Sequence, residues 1–352
     1  YNDLIDKLLE YRHIISVKKQ APIVNGWTGF ETIIGSMRFS AVFLTIILLV
    51  ECGTSDSPAD YLFENSPDRI PEHLDIPPEI YRDAAGSLGT EEDSGPGGSV
   101  SPGLRIAHVS DIHHYSPSLY NPEESGFNQF VYNNEGRNVL HTSDLLEALK
   151  EELIRDRIGT LLVSGDLSLL GALETHQDAA RVFGGFEAAG IRVFITTGNH
   201  DINNPRAFRI TGDTTEEAEW TTPARFREVY HEFGFSEAAL VHEETLSYFV
   251  RLDDEHSLLS LDTSWYQDNA MLDHAGTPGI ILPSLFDFAS RCLALADEEG
   301  RQVIVMTHHN FLAHYEIDFD LSAFMIQDGA RMMALLSSKG VRLALSGHIH
   351  KT

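Results

Sequence analysis

Five short, largely apolar runs in this chain stop abruptly at residues that carry chemistry. LRIAHVSD (104–111) leads into Asp111-Ile112-His113-His114, TLLVS (160–164) into Gly165-Asp166, and RVFITT (192–197) into Gly198-Asn199-His200-Asp201. RQVIVMT (301–307) leads into His308-His309, and VRLALSG (341–347) into His348-Ile349-His350. Runs of this kind read as buried strands. Polar groups gathered at the carboxyl ends of buried strands are where open α/β sheets place their chemistry.

The intervening segments have helical character. Asp144, with Glu147 three residues on, predicts a capped helix over DLLEALKEELIRDR, and a second helix is expected over about 174–189. Strand, helix, strand, helix, strand is the pattern of a parallel βαβ series. Further on, 202–221 reads as a polar loop, and Thr222-Pro223 starts a helix to about Glu232. LSYFVRL and SLLSLD read as a hairpin. Helices over about 284–299 and 321–338 precede the last two strands. The fold class is α/β.

The ends of the five runs supply Asp111, His113, Asp166, Asn199, His200, His308, His348 and His350. Carboxylate, imidazole and amide oxygen suit Mn, Fe or Zn better than metals that prefer thiolates. Asp111 and His113, two residues apart beyond a strand, can converge on one ion. His348 and His350 can serve either side of a pair. Asp166 has two oxygens and can bridge ions about 3.5–4 Å apart, the spacing of two-metal hydrolytic sites. Each piece has a bland alternative: a GD after a strand is commonly a turn, and a lone histidine is commonly a hydrogen-bonded core residue. Their joint occurrence at successive strand ends favours the metal site, with His114 and His309 as bystanders.

Charge narrows the partners. The chain carries a net charge of -28, and from Ser101 to Thr352 there are 37 acidic against 18 basic residues. Such a surface repels a polynucleotide backbone. A small anionic substrate then needs a local positive focus, which bound metal ions supply. The two cysteines, Cys52 and Cys292, are not expected to pair, and Cys292 reads as a packing residue in an apolar helix.

Residues 1–36 form an upstream segment to which no role attaches. Residues 37–52 open with Met37-Arg38 and continue with the uncharged run FSAVFLTIILLV, which suits a signal h-region better than a membrane span. Followed by Cys52, it resembles a bacterial lipoprotein signal. That resemblance makes Cys52 a lipidation candidate and the cell envelope the expected location, by a lipid anchor; a buried hydrophobic helix in a cytoplasmic protein is the alternative. Residues 53–102 are rich in acids, Pro, Gly and Ser and cannot bury enough apolar surface to offset their ordering entropy, so they read as a linker. The folded domain spans 103–352.

The motifs SDIH, GDLS, GNHD, THH and GHIH, over roughly 104–352, resemble those of the calcineurin-like metallophosphoesterase superfamily. The resemblance implies a four-layer αββα sandwich with a dinuclear metal site at the carboxyl ends of its strands. One ion would be held by Asp111, His113, Asp166 and His350, and the other by Asp166, Asn199, His308 and His348. Asn199 and His200 would contact the phosphate. His200 would be the general acid, and Asp201 would fix its orientation. Because such families continue beyond GHIH, the domain is expected to be incomplete at its C-terminus. The segments HHYSPSLY, GDLSLLGALETHQ and GNHDINNPRAF narrow the likeness to bacterial enzymes similar to class III cyclic-nucleotide phosphodiesterases. The expected activity is phosphodiester hydrolysis, with a 3′,5′-cyclic nucleotide as candidate substrate, by in-line attack of a metal-bridging hydroxide. A phosphomonoesterase, nucleotidase or pyrophosphatase using the same metals is the alternative, and a non-catalytic metal-binding scaffold ranks below it.

Overall fold

The computed structural model describes residues 33–35, 47–49, 104–133, 139–312 and 324–350. Cys52, the linker 53–102 and most of segments 1–36 and 37–52 lie outside them. Within the two N-terminal segments, β1 (Ile33–Gly35) pairs antiparallel with β2 (Ile47–Leu49).

β3 (Ala107–Val109), β4 (Thr160–Ser164) and β5 (Arg192–Thr196) lie side by side in chain order and run parallel. The crossover from β3 to β4 contains α1 (Ser125–Asn133) and α2 (Thr142–Asp156), and α3 (Leu173–Ala188) joins β4 to β5. α1 falls in a stretch whose Pro, Gly and Asn content disguises it. α2 begins two residues before Asp144, which occupies the first turn instead of the cap; there its carboxylate faces the positive end of the helix dipole.

Residues 202–221 are more ordered than a polar loop. β6 (Phe208–Thr211) and β7 (Thr214–Glu217) form a hairpin about Gly212, and α4 (Pro223–Val229) follows, capped by Thr222, whose hydroxyl accepts from Arg225 N. The strand signal is weak because β7, TTEE, is exposed along its whole length. Phe208 and Ile210 of β6 instead pack on Tyr115, Phe127 and Phe130, a small aromatic cluster beside the main core.

The second sheet is mixed. It contains β8 (Leu240–Val241), β9 (Tyr248–Arg251), β10 (His256–Leu261), β12 (Gln302–Thr307) and β14 (Leu343–Leu345), in the order β14-β12-β10-β9-β8. β9 and β10 form the expected hairpin, while β12 and β14 add in parallel. A short parallel pair, β11 (Gly279–Ile280) and β13 (Ile326–Gln327), lies outside it. α5 (Pro283–Glu298) and α6 (Gly329–Ser338) pack on one face of the mixed sheet. The last helix starts well after the expected 321, since β13 and a turn through Asp328 intervene.

The layers follow from alternation along the strands. Leu258, Ile304, Met306 and Leu345 share one core with Leu161, Val163, Phe183 and Phe194, between and behind the two sheets. Leu259, Leu261 and Val305 point the other way, onto Leu285, Phe288 and Cys292 of α5 and Met332 of α6. All of β4 and β10 is buried, as strands covered on both faces must be. Helix, sheet, sheet and helix make the αββα sandwich, with both sheets ending at one edge.

Candidate metal centre

The five strand ends meet at that edge, and the backbone there is unusually bent. Among the described residues nine non-glycine positions have positive φ, and five of them are Asp111 (55°), His113 (43°), Asp166 (49°), His348 (76°) and His350 (48°). Each such residue costs about 1–2 kcal/mol. The bends persist because the loops brace one another. Asp111 N donates to Gly165 O at 3.1 Å, His113 N to Asp166 O at 2.9 Å, and Gly347 N to His308 O at 2.9 Å. Two glycines allow the approach: a Cβ at Gly198 would stand 2.1 Å from Asp166 N, and one at Gly347 would stand 2.5 Å from Asp111 Oδ2.

Asp111, His113, Asp166 and His350 bring one ligand atom each within 4.8 Å of one another. His113 Nε2 lies 2.9 Å from His350 Nε2 and 3.6 Å from Asp166 Oδ2, and His350 Nε2 lies 3.3 Å from Asp111 Oδ1. Alongside, His308 Nε2 stands 3.2 Å from Asn199 Oδ1, 3.1 Å from His348 Nδ1 and 3.4 Å from the same Asp166 Oδ2. Asp166 Oδ2 therefore faces both clusters, the place of a bridging ligand. His309 is within ligand distance of His308 and His348, but its nitrogens are taken by Thr263 Oγ1 at 2.8 Å and Thr277 O at 3.1 Å. His114 likewise points away, to Asp178.

The donor chemistry fits cations. His308 Nδ1 donates to Ser164 O at 2.9 Å, so in the neutral ring Nε2 is a lone pair facing two oxygens and a nitrogen. A lone pair ringed by acceptors is stabilised by a positive charge placed among them. Burial disfavours the charged form of His308, yet the carboxylates of Asp166 and Asp111 and the Ser164 carbonyl outweigh it and raise the imidazole to about 9. Its neighbours go the other way. Burial, with smaller contributions from nearby imidazoles, drives His113 well below the ordinary range and His348 to about 3. Burial alone would raise Asp111 and Asp166, but the surrounding imidazoles hold both well below the usual carboxylate range. Two carboxylates beside the neutral rings of His113 and His348 leave negative charge that His308 alone does not balance and that a metal ion can meet.

His200 stands at the open side, with a quarter of its side chain exposed and Nε2 4.0 Å from Asp166 Oδ2. Its Nδ1 donates to the carbonyl of Leu169 at 2.7 Å. The expectation that Asp201 orients this ring is corrected here. The Asp201 carboxylate is fully buried and accepts from the backbone of Ser168 (2.8 Å), Gly198 (2.8 Å) and Leu167 (3.3 Å). It ties the loop after β4 to the loop after β5. Burial and the charge of Asp166 push it up to about 8, opposed by the Gly198 and Ser168 N–H groups.

Sequence reasoning passed over the Leu169 and Ser164 carbonyls, because a backbone acceptor leaves no trace in residue type. It also passed over His108, whose Nε2 meets Ser164 Oγ at 2.7 Å inside β3 and β4; its place one residue before Val109 marked it only as strand. Cys292 is fully buried in α5, as a packing residue.

The family model for calcineurin-like phosphoesterases matches residues 104–352. No curated protein matches the sequence. Among solved structures, the chain is similar to a dimetal phosphatase from Danio rerio at 13% identity and a TM-score of 0.45, over 69% of this chain and 80% of that one.

Proposed function

This chain belongs to the calcineurin-like phosphoesterase family and is a metal-dependent hydrolase of phosphate esters, and from that premise we propose that its substrate is a phosphodiester with an alkoxide leaving group, a 3′,5′-cyclic nucleotide being the candidate. The observation that carries the reading is the placement of His200. Its Nδ1 is committed to a carbonyl, its Nε2 makes no hydrogen bond among the described residues, and it sits on the exposed side of the two ligand clusters. A diester leaves behind an alkoxide that departs poorly unless it is protonated, and a fixed imidazolium supplies that proton.

Asp111, His113, Asp166 and His350 would hold one ion, and Asp166, Asn199, His308 and His348 the other. Bound metals supply a water of lowered pKa and Lewis acidity toward the phosphoryl oxygens. The chain's own residues do the rest. Asn199, held at the β5 end, turns its amide toward the cluster and is placed to contact a phosphoryl oxygen. The Leu169 carbonyl keeps a proton on His200 Nδ1, so the proton that moves is the one on Nε2, and the ring ends as the neutral Nδ1–H tautomer. Backbone bracing by Asp166, which accepts His200 N at 2.9 Å, keeps the acid and the bridging carboxylate in one unit.

The test is hydrolysis of bis-p-nitrophenyl phosphate, p-nitrophenyl phosphate and 3′,5′-cyclic AMP by the full chain supplied with Mn²⁺, with Asp166→Asn as control. Turnover of both diesters above the monoester, lost in the control, supports the proposal. Preference for the monoester replaces it with a phosphomonoesterase, and turnover of the synthetic diester alone removes the cyclic nucleotide.

A further inference from the structure

We infer that Asp178 and His114 are positioning residues for His200, acting through the Leu169 carbonyl; the inference rests on His200 being the acid of the proposed reaction. The connection is continuous. Asp178, on α3, meets His114 Nε2 at 2.7 Å through Oδ2. His114 is buried, and its Nδ1 has no hydrogen-bond partner among the described residues, so Asp178 is what fixes the ring. The His114 backbone in turn holds the loop after β4 by two bonds: His114 N donates to Leu167 O at 2.9 Å, and His114 O accepts from Leu169 N at 2.8 Å. The next group in that loop is the Leu169 carbonyl, which accepts His200 Nδ1 at 2.7 Å.

The pair thus stands where an orienting carboxylate would otherwise be needed. A carbonyl orients an imidazole as well as a carboxylate does, but only if the loop carrying it is fixed, and Leu169 has no polar side chain to fix itself. Helix α3 provides the rigid frame, and the Asp178–His114 contact transmits its position to the loop. Asp178 is also steadied from outside by Arg181, whose Nη2 lies 2.5 Å from Oδ1. Losing the Asp178 contact frees a buried imidazole and, with it, the loop. Misplacing a catalytic group by about 1 Å can cost about 10²-fold in rate.

The experiment reads the leaving-group dependence of kcat/KM on methyl aryl phosphodiesters whose phenols grade from p-nitrophenol to unsubstituted phenol. A nitrophenolate leaves without a proton, so only the poor end of the series reports on the acid. Asp178→Ala should cut turnover about 10-fold at the phenol end and less than about 2-fold at the nitrophenol end, with metal content unchanged by elemental analysis. Asp178→Asn, which keeps an acceptor for His114, should restore the wild-type slope. His200→Ala, run beside them, should steepen the slope further. A uniform loss across the series, an unchanged slope, or no rescue by Asn overturns the inference while His200→Ala still upholds the acid. A flat slope in His200→Ala overturns the acid itself and this inference with it. Should Asp178→Ala fail to fold, Asp178→Ser, a shortened acceptor, is read by the same criteria.

Discussion

The carboxylate of Asp111, at the end of the first sheet, accepts the backbone N–H of His348, at the end of the second, with both oxygens (3.0 and 2.9 Å). One side chain therefore closes the seam between the sheets and offers a ligand to the cluster containing His350. Asp111→Asn separates the two duties, because the amide oxygen still accepts from His348 N but brings no charge. The fold should survive with its melting temperature changed by a few degrees. One metal equivalent should be lost by elemental analysis, and turnover should fall by at least about 100-fold, the upper range for groups that merely support a ligand. Retention of two equivalents would remove Asp111 from the ligand set.

Gly198 is set against Asp166 more tightly than any side chain permits. An added Cβ would stand 2.1 Å from Asp166 N and 2.2 Å from its Oδ1, and the obstruction is backbone and a candidate bridging ligand, neither of which can turn aside. Gly198→Ala should therefore abolish turnover and lower stability by about 1–3 kcal/mol, the usual cost of overpacking. Urea unfolding together with elemental analysis checks both parts. An alanine variant that kept two metals and full activity would show that the loops after β4 and β5 move apart freely.

Much of this arrangement was legible beforehand, and for a physical reason. Metal ligands must be particular residue types, so Asp111, Asp166, His308 and His350 announce themselves where an apolar strand stops, and parallel crossovers bring successive strand ends to one edge. What escaped was carried by the backbone. His200 is held by the carbonyl of Leu169, and the five left-handed bends at the ligands are features of φ and not of composition. Asp201 misled because adjacency in GNHD suggests contact, whereas the strand-to-loop turn sends its carboxylate back toward Ser168 and Gly198. The β6–β7 hairpin was hidden by a strand with no buried residue.

Asp201→Asn tests that correction. Above pH 8, where Asp201 is ionised, its oxygens satisfy three backbone N–H groups, and an amide turns one of its ends into a donor facing donors. With the amide nitrogen at the Ser168 end, one buried N–H is left without an acceptor, at a cost of about 1–3 kcal/mol, and the variant should lose about that much on urea unfolding. Because no hydrogen bond among the described residues joins the Asp201 carboxylate to the His200 ring, the leaving-group slope of the folded, metal-loaded variant should match wild type. A steepened slope would return Asp201 to the role of orienting the acid.

Acid should destabilise the protein in part through His108. Burial lowers this imidazole from 6.5 to about 4, with Asp111 opposing the shift. Above pH 6.5 the ring is neutral in both folded and unfolded chains and contributes no pH dependence. Between 6.5 and 4 the unfolded chain takes up a proton that the folded chain refuses, so stability falls as the pH falls, by about 1.4 kcal/mol per pH unit. Below 4 both forms are charged and the loss levels off, at a total of about 3 kcal/mol. His108→Gln keeps a polar group for Ser164 Oγ and cannot titrate. Unfolding free energies of the two metal-stripped proteins, measured from pH 7 to 4, cancel the shared titration of the other buried histidines. The wild type should lose about 3 kcal/mol relative to the variant over that range. A constant difference would mean that His108 accepts its proton in the folded state, and that Asp111, despite its tie to His348, remains negative enough in the absence of metal to stabilise a second charge beneath the site.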